Sequence, residues 1–244
     1  MPVAILSALG AEIQTLVDSA TDLERADIGT WPRWSGVIDG QDVILAKAGL
    51  GKVNTAALAG IIWERHHPET MLFAGVAGRL DPSLGIGDIV IGERTIQHDW
   101  GVIASDGFER YQAGHFPFYN PTEIFGFTPS TRLVEAMRVI AASVELTPVL
   151  DRDPKITFGT ILTGDQFLQD EHLRDQLFSE LGAQAIEMEG AALGQTAARL
   201  GVDHLVIRSL SDLAAGESVE HFDRFVPQVA ANSAHLVVEL LRRL

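Results

Sequence analysis

Residues 185–212 read AIEMEGAALGQTAARLGVDHLVIRSLSD. Three elements divide this stretch: a short strand at 185–188, a helix at 191–200 and a second strand at 205–210. Leu205-Val206-Ile207 has no polar interruption. A strand that is apolar at every position is buried on both faces, as in a parallel or mixed sheet covered by helices. The same alternation extends toward the N-terminus. Strands are expected at 3–6, 43–46, 71–77, 86–91 and 156–163, with 34–38 pairing with 43–46 across the Asp39-Gly40 turn. Helices are expected at about 53–65, 130–144 and 171–181, and another runs from the end of Val3-Ala4-Ile5-Leu6 through Glu12 and Leu16. A last helix at about 222–241 carries Val226, Ala230, Val237 and Leu241 on one face. Alternating strands and helices predict an α/β sandwich around a mainly parallel or mixed sheet. No repeat, low-complexity segment or polar linker interrupts residues 1–244, so one domain is expected.

Composition narrows the chemistry. The 244 residues hold 18 Lys+Arg against 33 Asp+Glu, a net charge of −15, and 46% are hydrophobic. A chain of this length buries about 70–75% of its unfolded surface and needs no staples. The absence of cysteine excludes disulfides, cysteine–zinc sites, iron–sulfur clusters and thiol nucleophiles. The acidic balance argues against nucleic acid and against anionic membrane surfaces. Met1-Pro2-Val3 leads straight into an apolar strand and the first basic residue is Arg25, so no basic leader region precedes it. No apolar run approaches the roughly 20 residues of a membrane span. The expected location is cytoplasmic.

Residues 104–129 do not fit the alternation. They hold Phe108, Tyr111, Phe116, Phe118, Tyr119, Phe125 and Phe127, interspersed with Pro117, Pro121 and Pro129. Disordered segments are poor in aromatics, so a lid or an interface segment is expected.

Two glycine patterns do not meet their motifs. Gly49-Leu50-Gly51-Lys52-Val53 would need glycine at Ala46 and Ser/Thr at Val53 for a phosphate loop. As a dinucleotide fingerprint it would need Gly or Ala at Asn54. Neither a nucleoside triphosphate nor NAD is implied. The segment reads equally as a plain strand-to-helix turn or as a substrate-contacting loop.

Acidic residues at strand ends are more informative. Glu187 and Glu189 flank Met188 and share a face if the strand persists that far. Carboxylates among apolar neighbours need donors, and sugar hydroxyls are such donors. Glu189 reads alternatively as a helix N-terminal carboxylate favoured by the dipole. Asp212 closes the strand that begins at Leu205, at the carboxyl end where α/β sheets bind ligands, or it caps the next segment of the chain. Glu12 lies just after the first strand and can likewise serve its helix dipole.

Taken together, a set of segments resembles the 5′-methylthioadenosine/S-adenosylhomocysteine nucleosidases, within the purine nucleoside phosphorylase and hydrolase superfamily. They are Ile5-Leu6-Ser7-Ala8-Leu9-Gly10-Ala11-Glu12, Ala48-Gly49-Leu50-Gly51-Lys52-Val53, Gly75-Val76-Ala77-Gly78, Gly87-Asp88-Ile89-Val90, Gly164-Asp165-Gln166-Phe167-Leu168, Ile186-Glu187-Met188-Glu189 and Arg208-Ser209-Leu210-Ser211-Asp212. They run in family order from end to end. The resemblance implies a single-domain three-layer sandwich with a central mixed β-sheet, no cofactor, a small nucleoside as partner and a homodimer. It also implies roles. Asp212 protonates purine N7, Ser211 orients that carboxyl, and Glu12 takes a proton from the attacking water. Glu189 and the Met188 backbone hold the ribose hydroxyls. Phe167 stacks on the base and Leu168 reads its edge through backbone groups. Arg208 lies near the ribose and water, and Phe222 lines the 5′ side.

The chain departs from the family pattern at Val76, where a Ser or Thr that helps hold water or phosphate is usual, and at Arg79, where a second Gly is frequent. Arg79 is the candidate to take over the missing hydrogen bond. The stretch at 104–129 is longer and more aromatic than its counterpart, which in related enzymes lies at a dimer interface and helps close the 5′ pocket. His98-Asp99 matches a family pair and reads as structural rather than metal-binding, since His66, His67 and His115 offer no ligand spacing. Phosphorolysis needs cationic clamps, and the loop from Ser7 to Glu12 holds a carboxylate instead, so hydrolysis is the expected reaction. A phosphorylase, a futalosine-type hydrolase and a non-catalytic nucleoside-binding module are the alternatives.

Overall fold

The computed structural model describes residues 1–105, 107–216 and 218–244, with residue 223 as backbone only. A single mixed sheet organises them. In chain order its strands are β1 (Val3–Ser7), β2 (Thr21–Arg25), β3 (Arg33–Ile38), β4 (Gln41–Lys47), β5 (Thr70–Arg79) and β6 (Ile89–Gln97). A separate hairpin, β7 (Gly101–Ala104) and β8 (Gly107–Arg110), comes next, and β9 (Ile156–Thr163), β10 (Ala185–Glu187) and β11 (Asp203–Asp212) complete the sheet. The helices are α1 (Gly10–Ser19), α2 (Lys52–His66), α3 (Thr131–Ala141), α4 (Glu171–Leu181), α5 (Gly190–Leu200) and α6 (Ser218–Leu241).

The spatial order is β10-β9-β6-β11-β5-β1-β4-β3-β2. β1 runs parallel to β4 and β5, β5 to β11, and β9 to β6 and β10. β6 opposes β11. β10 also pairs antiparallel with β5, Ile186 against Gly78, so β5, β11, β6, β9 and β10 close into a ring. That closure brings the ends of β5, β10 and β11 to one rim.

Alternation divides the core between two faces. Val3, Ile5, Val43, Leu45, Leu72, Ile89 and Ile207 pack with Ile13 of α1, Met137 of α3 and Val237 of α6. Ala4, Leu6, Ile44, Met71, Phe73 and Val206 pack with Leu58 and Ile62 of α2 and Leu193 of α5. The continuous apolar strands are thus buried on both faces, and the three-layer α/β sandwich with a central mixed sheet is as expected. None of the described helices is long and apolar enough to cross a membrane.

Four expectations need correction. β2, sequence TDLER, is exposed along its whole length, and an edge strand in solvent carries no apolar alternation to reveal it. β6 begins at Ile89 rather than residue 86, because Asp88 accepts from Gly85 N–H and Lys155 N–H in the turn before it. It continues to Gln97 through a bulge between Gly92 and Arg94. α6 begins at Ser218 rather than Phe222. The 104–129 stretch overlaps the β7–β8 hairpin. Its Phe127 pairs with Thr95, and Phe116 stacks between Trp100 (5.4 Å) and Phe118 (5.2 Å).

Candidate active site

A cavity of about 350 Å³ lies at the carboxyl ends of β1, β5, β10 and β11. Ligand sites of α/β sheets form there because the loops diverge and leave a crevice. Glu12, Val76, Phe167, Leu168, Met188, Glu189, Ser211, Asp212 and Phe222 all line it. Residues drawn from across the chain therefore meet in one place, and Arg208 alone of the expected set stands behind the wall.

Glu12 sits in the first turn of α1 and is 2% exposed. Its Oε2 accepts from Leu9 N–H at 2.7 Å and its Oε1 from Val76 N–H at 2.9 Å. These bonds carry the carboxylate across to β5. Gly75 makes the approach possible, since a Cβ there would collide with Glu12 Oε1 and with the Arg208 guanidinium. Burial pushes the Glu12 pKa above the usual carboxylate range, against the charge of Arg208 and the backbone donors.

Asp212 ends β11 and is also 2% exposed. Oδ1 accepts from Ala214 N–H at 2.8 Å, and Oδ2 accepts from the Ser211 hydroxyl at 3.0 Å. A Cβ on Gly78 would lie 3.0 Å from Oδ1, so this strand position too is kept small. Burial raises the Asp212 pKa, opposed by hydrogen bonds from Ala214, Ser211 and Ser218 and by the nearby His221. Glu12 and Asp212 thus abut β5 three residues apart, on the order of 10 Å at strand spacing.

Glu187 and Glu189 do not share a strand face, because β10 stops at Glu187. Glu189 occupies the N-cap position of α5, yet its side chain does not cap. Glu187 does so instead, accepting from Glu189 N–H (3.0 Å) and Gly190 N–H (2.7 Å). It also accepts from the Thr163 hydroxyl and pairs with Arg208. Glu189 is left facing the cavity. Its Oε1 accepts from Gly51 N–H at 2.7 Å and its Oε2 lies 3.3 Å from Arg208. Gly51 has φ 91, a conformation that favours glycine, and this aims its N–H at the carboxylate. The Glu189 pKa is pushed up to about 7, first by burial and then by Glu187.

Arg208 is fully buried and its guanidinium lies 4.5 Å from the centre of the Phe73 ring. Burial opposes its charge, but Glu187, Glu189 and Glu12 outweigh this and hold its pKa above the usual value. Arg208, expected near the ribose and water, reaches the cavity through Glu187 and Glu189 and does not itself line it. Arg208 acts from behind, and the carboxylates stand between it and the cavity.

Phe167 is 46% exposed and meets Phe222 edge-to-face, 5.8 Å between ring centres. Val76 lines the cavity and packs with Ile86, Val149 and Phe225. Arg79 does not take over the hydrogen bond of a hydroxyl at position 76. Its guanidinium donates to Leu84 O at 3.1 Å, and Arg79 is absent from the cavity wall. No described residue of 104–129 lines the cavity within this chain, so the lid reading is corrected for the protomer. His98 is buried, and Asp99 binds the Lys52 ammonium. Gly78, Ala214 and Val219 join the wall without having been anticipated, since backbone and small side chains leave no chemical signature in sequence.

The phosphorylase superfamily profile matches residues 2–242. The chain is 41% identical over 245 residues to the 5′-methylthioadenosine/S-adenosylhomocysteine nucleosidase of Mycobacterium tuberculosis (strain CDC 1551 / Oshkosh), covering 98% of this chain and 96% of that protein. Among solved structures it is similar to the nucleosidase of the same name from Neisseria meningitidis in complex with methylthio-immucillin-A. The TM-score is 0.87 at 29% identity, covering 100% of this chain and 99% of that one. It is also similar to a futalosine hydrolase of Helicobacter pylori strain 26695, with TM-score 0.86, 27% identity and coverage of 100% and 98%.

Proposed function

Because the chain belongs to the phosphorylase superfamily and, within it, to the 5′-methylthioadenosine/S-adenosylhomocysteine nucleosidases, we propose that it hydrolyses the N-glycosidic bond of adenine nucleosides bearing an apolar 5′ group. Water attacks C1′ and gives its proton to Glu12. The C1′–N9 bond breaks as Asp212 protonates N7, so adenine leaves neutral and a 5′-substituted ribose remains. Glu189 and the Met188 backbone hold the ribose hydroxyls and stabilise the sugar as it becomes cationic. Phe167 stacks on the base, the Leu168 backbone reads its edge, and Ser211 holds Asp212. Arg208 keeps Glu187 and Glu189 in place from below.

The observation that carries this reading is a wall that holds carboxyl groups and no cation. Among the described lining residues, Glu12, Glu187, Glu189 and Asp212 are carboxylates and none is Lys, Arg or His. Phosphate would meet repulsion and no cationic clamp, whereas water meets a base. A binding module would not need an acid and a base at opposite ends of the cavity.

Val76, Val219 and Phe222 form the apolar side, which we assign to the 5′ substituent. Each buried methylene contributes about 0.8 kcal/mol and a thioether gains further from aromatic contact. Methylthioadenosine is therefore expected to exceed adenosine by about one to two orders of magnitude in kcat/KM, without phosphate. Adenosine monophosphate is expected to be poor. The check is adenine release from a panel that also contains S-adenosylhomocysteine and aminofutalosine, with and without phosphate. A phosphate requirement would refute hydrolysis. Preference for aminofutalosine would keep the chemistry, in line with the likeness to a futalosine hydrolase, and change the substrate.

We further propose a cytoplasmic homodimer. Ile103, Phe118, Tyr119 and Ile124 are 86%, 79%, 71% and 68% exposed and cluster in one part of the chain, an apolar surface that a second copy would cover. Sedimentation equilibrium is expected to give twice the chain mass, and a monomer at micromolar concentration would contradict this.

A further inference from the structure

The cavity has two walls that the sheet does not pair directly. One is the turn between β4 and α2, which supplies Leu50 and the Gly51 N–H that holds Glu189. The other is the segment between β9 and α4, which supplies Gln166, Phe167 and Leu168. β9 and β4 are not neighbours in the sheet: β6, β11, β5 and β1 lie between them one way round the ring, and β10, β5 and β1 the other. No ladder hydrogen bond therefore joins these walls directly.

Lys52, Asp99 and Asp165 bridge them. The Lys52 ammonium contacts both oxygens of Asp99, at 2.6 and 2.8 Å, and lies 3.6 Å from Asp165 Oδ2. Lys52 N–H donates to Asp165 Oδ1 at 2.9 Å, and Asp165 N–H donates to Asp99 Oδ2 at 3.0 Å. Asp99 is anchored in turn, since the neighbouring His98 N–H donates to Thr163 O and extends the β6–β9 pairing. The Lys52 and Asp99 side chains are only 18% and 17% exposed, so water screens this pair less than a surface pair.

We propose that Lys52, Asp99 and Asp165 are positioning residues for the glycosidic cleavage, a clamp that sets the base-stacking segment against the turn holding the ribose carboxylate. The proposal rests on the nucleosidase reading above. Each end of the clamp adjoins the site directly, with Gly51 before Lys52 and Gln166 after Asp165. Without the ammonium, Asp99 and Asp165 lose the cation that ties their side of the cavity to the turn, and only the bond from Lys52 N–H to Asp165 still spans the two walls. Gly51 N–H then leaves Glu189, and Phe167 loses its register over the base. A misplacement of about 1 Å is worth up to about 100-fold in rate.

The test is Lys52→Met, which keeps the stem and removes the charge, together with Asp165→Asn, which weakens only the more exposed arm. Turnover of methylthioadenosine, calorimetric titration with adenine and thermal melting are measured for each. Lys52→Met is expected to lower kcat/KM by about 10- to 100-fold, with kcat falling as well as KM rising, and to weaken adenine binding. Asp165→Asn should show a smaller loss in the same direction, and Lys52→Arg should restore part of it. In a Glu189→Gln background, Lys52→Met should cost several-fold less, because the clamp acts partly through that carboxylate. Unchanged kcat/KM and adenine affinity with a lower Tm would overturn the proposal and leave a structural ion pair. Fully additive losses would also overturn it. Wild-type protein inactive on every nucleoside would instead refute the nucleosidase reading, and adenine affinity would still report on the clamp.

Discussion

Asp212→Asn lowers kcat on methylthioadenosine by about 10²–10⁴, the range for loss of a general acid, while the protein stays folded. The substitution suits the site. Asparagine keeps a carbonyl oxygen to accept from Ala214 N–H, and its amide can donate to the Ser211 oxygen while that hydroxyl turns to Ala77 O, 3.4 Å away. What it lacks is a proton to give to N7. Burial raises the Asp212 pKa against the donors around it, which favours the acid form that this role requires. Activity controlled by an acid is lost as pH rises through that acid's pKa. The alkaline limb of kcat/KM should therefore be set by Asp212 and disappear in the variant's residual activity. Measurement of kcat with a circular-dichroism check of folding decides the matter, and near-normal kcat in a folded variant would remove Asp212 from its role.

How far the chain discloses this site depends on what kind of physics places each residue. The central strands could be read directly, because burial on both faces requires continuous apolar runs such as Leu205-Val206-Ile207. Edge strand β2 could not, because a strand in solvent obeys no apolar pattern. Glu12, Glu189 and Asp212 stood out as acids where apolar strands end, and the fold brings them to one cavity. The work of Glu187 was hidden. Its task depends on the strand stopping at that residue, so that its carboxylate meets the first N–H groups of α5. Arg208 was visible as a charge within an apolar strand, but whether it faced substrate or a buried carboxylate pair depends on the ring closure of β10 onto β5. Lys52 and Asp165 lie 113 residues apart, and no local pattern announces such a pairing.

Glu12→Gln produces the complementary loss. The base is removed, and kcat should fall by about 10²–10⁴ while a non-hydrolysable methylthioadenosine analogue still binds. Here the substitution has a structural cost. Both Glu12 oxygens accept backbone protons, from Leu9 and from Val76, and an amide can replace only one of them. One N–H then faces an NH₂ group, which costs about 1–3 kcal/mol, so a Tm decrease of several degrees accompanies the kinetic effect. Calorimetry with the analogue separates the two, because a merely loosened fold would weaken binding in proportion. The pH dependence supplies a second, independent sign. A base must be ionised, and burial places the Glu12 pKa above the ordinary glutamate range despite Arg208. In wild type, kcat/KM should therefore decline as pH falls through that raised value. In Glu12→Gln the acidic limb should vanish while the alkaline limb of Asp212 persists. If analogue binding is destroyed and the acidic limb remains, then Glu12 holds the substrate and another group activates the water. Glu189, another buried carboxylate of the cavity wall, with its pKa pushed up to about 7, would be the group to examine in its place.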